Sequence, residues 1–433
     1  MSTPPLEVAD IVRRFGTRVI SRHGAALSFE QRRALRDIAA CRTALLGGHV
    51  YGCTDCGHRQ IAYNSCRNRH CPKCQAAARA QWQAAREQEL LPVPYFHVVF
   101  TLPPEFNELA LQNPRAVYGL LFQAASQTLL QVAGNPERLG AKIGFLSVLH
   151  TWGQNLMHHP HLHCVVPGGG LSLDGKSWVT CRRSRKRRRK EFFLPVRVLS
   201  RVFRGKFVAG LKALYQTSKL KFFGHLQPLA HTAAFEQLLN QSVRQDWVVY
   251  AKRPFGGPEQ VLKYLARYTH RVAISNQRLI HMDDERVAFH YKDYSDQSQA
   301  KVMRLEGTEF LRRFLMHVLP RGFVRIRHYG ILANRHRNEN LTLCRRLLGV
   351  SEVIRHDDPA ADGSQAEDTH CSQLVLPCPI CKTGKLLPIE IIPAISLAVI
   401  SSPHIPSLLS RTRTTTRCSE LQLALATQGM DTS

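Results

Sequence analysis

Apolar residues recur at helical spacing in "PLEVADIVRRFGTRVI" and again in "SFEQRRALRDIAACRTALL", so residues 6 to about 50 read as two amphipathic helices. Ser28 opens the second run with Gln31 three positions on, the arrangement of a capping box. A polar helix is expected through "QAAARAQWQAAREQELL", ended by Pro92 and Pro94. From "YFHVVFTLPPEF" the pattern shortens to strand-like runs at 95–102, 143–152, 161–166 and 247–252. "RLIHMDDERVAFHYKDY" then reads as a hairpin turning at Asp283 and Asp284. Helical segments lie between the strands without regular alternation, which predicts an α+β fold with a mostly antiparallel sheet. The patterning fades after about residue 345. Three stretches follow: a mainly helical one over 1–92, a mixed strand-and-helix one over 93–345, and a tail over 346–433 expected to be partly unstructured.

Charge narrows the partner. The 433 residues carry 59 Lys plus Arg against 32 Asp plus Glu, a formal net charge of +27. Such an excess points to a polyanion, since each neutralised phosphate releases condensed counterions. A nucleic acid is the expected partner, a ribosome-like or merely soluble basic protein the alternative, and "RRSRKRRRK" at 182–190 is a candidate for tracking a DNA backbone. The N-terminus has no apolar core of a secretion signal. The apolar run "IIPAISLAVISSPHIPSLL" is broken by Pro393 and Pro403, so no membrane span is expected and a cytoplasmic location is.

The 13 cysteines are clustered rather than spread as a disulfide framework. Cys53-x2-Cys56 and Cys71-x2-Cys74, fourteen residues apart, have the spacing of zinc ribbons and knuckles, so these four are expected to hold one structural Zn²⁺. Cys66 and His70 stand by as substitute ligands. Arg67, Asn68 and Arg69 lie between the pairs, where the two arginines are candidate DNA-phosphate contacts. A later pair, Cys378-x2-Cys381, looks like half a ribbon without a second half; His370 and Cys371 are possible partners, and two ordinary free thiols fit equally well.

"HHPHLHCVVPGGG" crowds histidines onto a strand. If Leu162, Cys164 and Val166 face a core, His161 and His163 project together from the other face, a geometry suited to a metal ion. A hairpin with "GFLSVLHTWGQ" would supply a third ligand. Gln154 is the preferred candidate, because His150 needs a different register. In "PFGGPEQVLKYLARYTHRVAIS", Pro258 and Glu259 suit a helix start, which puts Tyr264 and Tyr268 on one face with Lys263, Arg267 and Arg271 in a row beside them. Alone, that tyrosine pair would read as a core stripe with Val261 and Leu265.

Taken together, the strand "HVVFTLPPE", the His-hydrophobe-His of "HPHLH" and the Tyr-x3-Tyr helix form a constellation that resembles the two-tyrosine HUH transposases of bacterial rolling-circle insertion sequences. The cysteine cluster looks like their N-terminal zinc-binding domain. The likeness runs from about residue 6 to 345, including "HTWGQNLMHHPHLHCVVPGGGLS" and "RRFLMHVLPRGFVRIRHYGILANR". The resemblance implies an HUH-endonuclease-like sheet, His161 and His163 as ligands of a catalytic Mg²⁺ or Mn²⁺, and Tyr264 and Tyr268 as nucleophiles. It implies an enzyme that nicks and rejoins single-stranded DNA or hairpin element ends in the bacterial nucleoid. An inactive DNA-binding regulator derived from such an element, and a plasmid-type replication initiator or relaxase, are the alternative readings.

Overall fold

The computed structural model describes residues 6–181, 194–252, 273–294, 296–350 and 376–395. The chain opens with α1 (Val8–His23) and α2 (Phe29–Ala40). In α1 the buried Val8, Ile11, Val12, Phe15 and Val19 follow the 3.6-residue period of one helix face. The start of α2 is the expected capping box: Ser28 Oγ accepts from the Gln31 N–H at 3.3 Å and Gln31 Oε1 accepts from the Ser28 N–H at 2.8 Å. Two short strands follow, β1 (Gly48–Cys53) and β2 (Arg59–Tyr63), and then α3 (Pro72–Glu87), with Pro72 in the first turn where its missing N–H costs nothing.

β3 (Tyr95–Thr101) leads into α4 (Asn107–Gln112) and α5 (Pro114–Gly134). After β4 (Ala141–Lys142) comes the long hairpin of β5 (Gly144–Trp152) and β6 (His158–Pro167), then β7 (Gly169–Ser172) and β8 (Trp178–Thr180). α6 (Val196–Gln216), α7 (Thr232–Ser242) and β9 (Val249–Lys252) complete this part. The expected turn at Asp283 and Asp284 joins β10 (Leu279–Met282) to β11 (Arg286–Asp293); β12 (Gln299–Glu306), α8 (Gly307–Leu315), β13 (Ile326–Gly330) and α9 (Arg337–Leu347) follow. β14 (Leu376–Pro377) and β15 (Lys385–Ile392) are the last described elements.

The central sheet runs β13-β5-β6-β3-β9, with every neighbouring pair antiparallel. Side chains alternate across it. Val98, Phe100, Phe145, Leu149, Leu162, Cys164 and Val166 pack against Leu121 and Phe122 of α5 and Phe203 and Phe207 of α6, the main core. The opposite face carries Tyr95, Leu146, Val148 and Val165 at one end, covered by Leu341 and Cys344 of α9. Its other end carries the histidines.

Two features differ from the expected division at residues 92 and 345. α1 and α2 do not close a core of their own: Val8, Phe15, Leu35 and Ile38 share one with Val287, Phe289, Phe310 and Phe314 from the β10-β11-β12 sheet and α8. Two short helices bury too little apolar surface to stand alone, and the later segment supplies the rest. Residues 376–395, expected in a partly unstructured tail, pair instead with the N-terminal strands in a sheet of order β14-β15-β1-β2. The register runs from Gly48↔Ile392 to Cys53↔Leu386 with a bulge at Val50/Tyr51. Among the described residues no helix is long and apolar enough to cross a membrane.

Candidate active site and metal centres

The β5–β6 hairpin positions the histidines. His150 sits directly opposite His161, and Val148 opposite His163, so His150, His161 and His163 project from the same face. Each offers a ring nitrogen, and the three nitrogens lie within 4.8 Å of one another. His161 Nδ1 is 2.7 Å from the His159 carbonyl, which can only accept, so Nδ1 carries the proton and Nε2 keeps a lone pair. His163 Nδ1 is 2.7 Å from His97 Nε2 on β3, and the two rings stack with planes 5° apart. His161 and His163 are thus each held by a neighbour at Nδ1, the kind of contact that orients the ring in histidine metal centres. Burial lowers the pKa of His161 to about 4 and pushes His163 well below its ordinary value, with His150, His161 and His97 adding repulsion at His163. Both are neutral at pH 7, the protonation state a metal requires. Three imidazole nitrogens could hold a divalent ion, and on donor softness they fit Mn²⁺ better than Mg²⁺.

Gln154, the expected third ligand, lies beyond the strand pairing. An irregularity between His150 and Trp152 brings Trp152 opposite His158, leaving Gln154 in the connecting turn with its amide 3.5 Å from the Tyr294 hydroxyl. His150, set aside for needing a different register, stands beside His161 and His163. His97 was not singled out either, although it alternates into line with Tyr95 and Val99 along β3. The remaining members of the histidine run have other roles: His158 is 2.8 Å from the buried Tyr118 hydroxyl, and His159 supplies the carbonyl. Tyr264, Tyr268, Lys263, Arg267 and Arg271 lie outside the described residues, as does the basic run at 182–190.

The cysteines form two groups where one was expected. Cys71 and Cys74 meet Cys41 and Cys66; Cys53 and Cys56 meet Cys378 and Cys381. In the first group Sγ atoms stand 3.5 Å (Cys41–Cys74), 3.6 Å (Cys66–Cys74) and 3.7 Å (Cys41–Cys71) apart. A tetrahedral Zn²⁺ with Zn–S of about 2.3 Å spaces its ligands by about 3.8 Å, so the four thiols fit that ion closely. The spacing of the two Cys-x2-Cys pairs could not reveal this partition, because a lone Cys41 at the end of α2 has no motif around it. Cys66 joins the group as a spare candidate; His70 does not.

His70 and Arg69 belong to an internal contact. His70 Nε2 accepts the Leu319 N–H at 3.1 Å, and burial takes its pKa down to about 3. The Arg69 guanidinium donates to the carbonyls of Phe323 at 2.7 Å, Leu319 at 3.0 Å and Pro320 at 2.6 Å. Burial also lowers its pKa. The structure thus corrects the assignment of Arg69 to DNA: its donors are committed to the main chain that precedes β13. Arg67 is exposed at a left-handed φ of 51°, and remains a candidate phosphate contact.

An antiparallel sheet with three imidazoles on one face, joined to a thiol-rich module on a strongly basic chain, combines side chains that could hold metal ions with a charge suited to a polyanion. Comparison with known proteins specifies the family. Residues 144–340 match the family described as "Putative transposase", and residues 11–102 match the family described as "Transposase zinc-binding domain". The chain is similar to the protein named "Putative transposase y4qJ" from Sinorhizobium fredii, with 52% identity over 89% of this chain and 95% of the relative. It is also similar to the transposase for insertion sequence element IS801 from Pseudomonas savastanoi pv. phaseolicola, with 30% identity over 68% of each chain. No solved structure matches. The chain belongs to the two-tyrosine transposase family of bacterial IS91-type insertion sequences and carries that family's zinc-binding domain.

Proposed function

We propose that this transposase nicks and rejoins single-stranded DNA, or hairpin ends of its element, through 5′-phosphotyrosine intermediates, as in rolling-circle transposition. The observation that carries the reading is the convergence of His150, His161 and His163 within 4.8 Å on one sheet face. These residues would hold a divalent ion, Mg²⁺ or Mn²⁺. Bound there, such an ion polarises a scissile phosphate and stabilises the departing 3′ oxygen. Tyr264 and Tyr268 are the proposed nucleophiles. A phenol oxygen attacks phosphorus and gives up its proton to solvent, the P–O3′ bond breaks, and the 3′ oxygen takes up a proton. One phosphodiester is exchanged for another, so no nucleotide cofactor is consumed. A second tyrosine allows a second strand to be cut while the first is still attached. Lys263, Arg267 and Arg271, four residues apart on the same expected helix, would hold the adjoining phosphates, with Arg67 contributing from the zinc module. The group Cys41, Cys66, Cys71 and Cys74 would hold the structural Zn²⁺ of that module. Acting on a bacterial element, the protein would work in the cytoplasm, at the nucleoid.

The test is cleavage of a labelled single-stranded end in Mn²⁺, with the adduct read on a denaturing gel. His161→Ala and His150→Ala should each abolish nicking while leaving DNA affinity within about twofold, because binding rests on Lys and Arg. Tyr264→Phe with Tyr268→Phe should eliminate the adduct. Tyr250, exposed on β9 opposite Val99, which is itself opposite His163, is a phenol on the same face of the described sheet. An adduct that survives the double change and disappears in Tyr250→Phe would overturn the nucleophile assignment.

A further inference from the structure

We infer that Cys53, Cys56, Cys378 and Cys381 form a second tetrathiolate zinc site, which clamps the β14–β15 strand pair onto β1. The site lies outside both family matches on its C-terminal side, since these cover residues 11–102 and 144–340. It does not depend on the histidine centre or on the tyrosine chemistry.

Each half is a metal-knuckle turn, and the two halves have the same construction. The residue after the second cysteine is left-handed in both: Gly57 at φ 70° and Lys382 at φ 62°. The first cysteine of each donates its N–H across the turn, Cys53 to the His58 carbonyl at 2.8 Å and Cys378 to the Gly384 carbonyl at 2.7 Å. Main-chain N–H groups also point at the sulfurs, Asp55 at Cys53 Sγ (3.4 Å) and Gly384 at Cys381 Sγ (3.3 Å). Such donors stabilise thiolate, the form that binds metal. A left-handed φ at a lysine is uncommon; the Lys382 N–H donates to the Cys378 carbonyl at 3.0 Å within the turn that the Cys378–Gly384 bond closes.

The halves meet sulfur to sulfur. Cys53 Sγ is 3.6 Å from Cys381 Sγ, and Cys56 Sγ is 3.7 Å from Cys378 Sγ. These separations are far beyond the roughly 2.05 Å of a disulfide and match the edge of about 3.8 Å expected around tetrahedral Zn²⁺. Two further main-chain contacts close the junction: Thr54 N–H to the Lys385 carbonyl at 3.0 Å, and Lys385 N–H to Thr54 Oγ1 at 3.1 Å. Gly384 is required by the approach, since a Cβ there would stand inside the Cys53 sulfur and the Asp55 carboxyl. The apolar support under the sulfurs is thin, Tyr51, Ala62 and Leu386 besides the cysteines themselves. So small a core needs a cross-link to hold two strands in register, which is the use small domains make of zinc.

The experiment uses the full chain. Metal analysis of the purified protein should give two Zn²⁺ per chain, and Cys378→Ser with Cys381→Ser should give one. A wild-type protein with one Zn²⁺ that the double variant also retains would overturn the inference. One Zn²⁺ in the wild type and none in the variant would support it while removing the ion assigned to Cys41, Cys66, Cys71 and Cys74, so the two assignments fail separately. A second measurement needs no variant. Cys56 is exposed, so burial cannot shield it from iodoacetamide. Peptide mapping should find Cys56 unmodified until a zinc chelator is added; rapid alkylation in the untreated protein would refute the site.

Discussion

Arg69→Ala separates a structural guanidinium from a DNA-binding one. The wild-type side chain donates to three carbonyls, of Leu319, Pro320 and Phe323, at 2.6 to 3.0 Å. A hydrogen bond from a charged donor contributes about 1.5–3 kcal/mol, which would put a complete loss near 5–9 kcal/mol. The residue is only partly buried, so water reaches some of the stranded carbonyls after truncation, and the expected destabilisation is about 3–4 kcal/mol. Arg69→Lys keeps the charge but loses the planar fork, and should fall roughly midway. Urea unfolding followed by tryptophan fluorescence reads the stability. Binding to single-stranded DNA across a salt series reads the other role, because each lost phosphate contact flattens the log–log slope by about 0.7. Arg69→Ala should leave that slope unchanged below its unfolding transition, whereas the exposed Arg67→Ala should flatten it with stability intact. An Arg69→Ala protein with wild-type stability and a flattened slope would refute the assignment.

Two further outcomes are expected. Gly307→Ala places a methyl within the ring of Phe15 where α8 meets α1, and overpacking of that kind should cost about 1–3 kcal/mol in thermal or urea unfolding; an unchanged midpoint would mean that the α1–α8 contact yields freely. His317, buried with Nδ1 3.1 Å from Thr151 Oγ1 and Nε2 donating to the Leu156 carbonyl at 3.0 Å, has its pKa lowered by burial from 6.5 to about 4. Its neutral form stabilises the fold fully above pH 6.5, and that contribution is lost as pH falls toward 4, because the unfolded chain takes up a proton the folded one refuses. The stability gap between wild type and His317→Gln should therefore shrink by about 2 kcal/mol between pH 7.5 and pH 5, and a constant gap would count against the assignment.

What the sequence disclosed and what it hid follow a physical division. Period and capping are local, so α1, α2, β3, the β5–β6 hairpin and the turn at Asp283 could be placed from nearby residues alone. The facing of His161 and His163 followed from alternation with Leu162 and Cys164. The third imidazole did not, because an irregularity between His150 and Trp152 shifts the register by an amount that no pattern in the strand announces. Long-range partners were equally hidden. Cys41 carries no motif, Cys378 and Cys381 find their partners across most of the chain, and Arg69 looked like any exposed arginine between metal ligands. In each case the deciding contact joins residues whose proximity is a property of the folded chain. Family resemblance reached the class of protein because it rests on segments, "HPHLH" among them, that keep their order and spacing.

The pairing of β1 with β15 also sets a timetable. Cys41, Cys66, Cys71 and Cys74 leave the ribosome almost together, whereas Cys53 and Cys381 are 328 positions apart. At the usual roughly 5–20 residues per second, about 15–65 s of synthesis separate them. Throughout that interval one edge of β1 has no strand to pair with, and an open edge is where a nascent chain is most prone to join another. Its shortness, from Gly48 to Cys53, limits the hazard. The N-terminal sheet is thus among the first parts of this protein to be made and among the last to be finished.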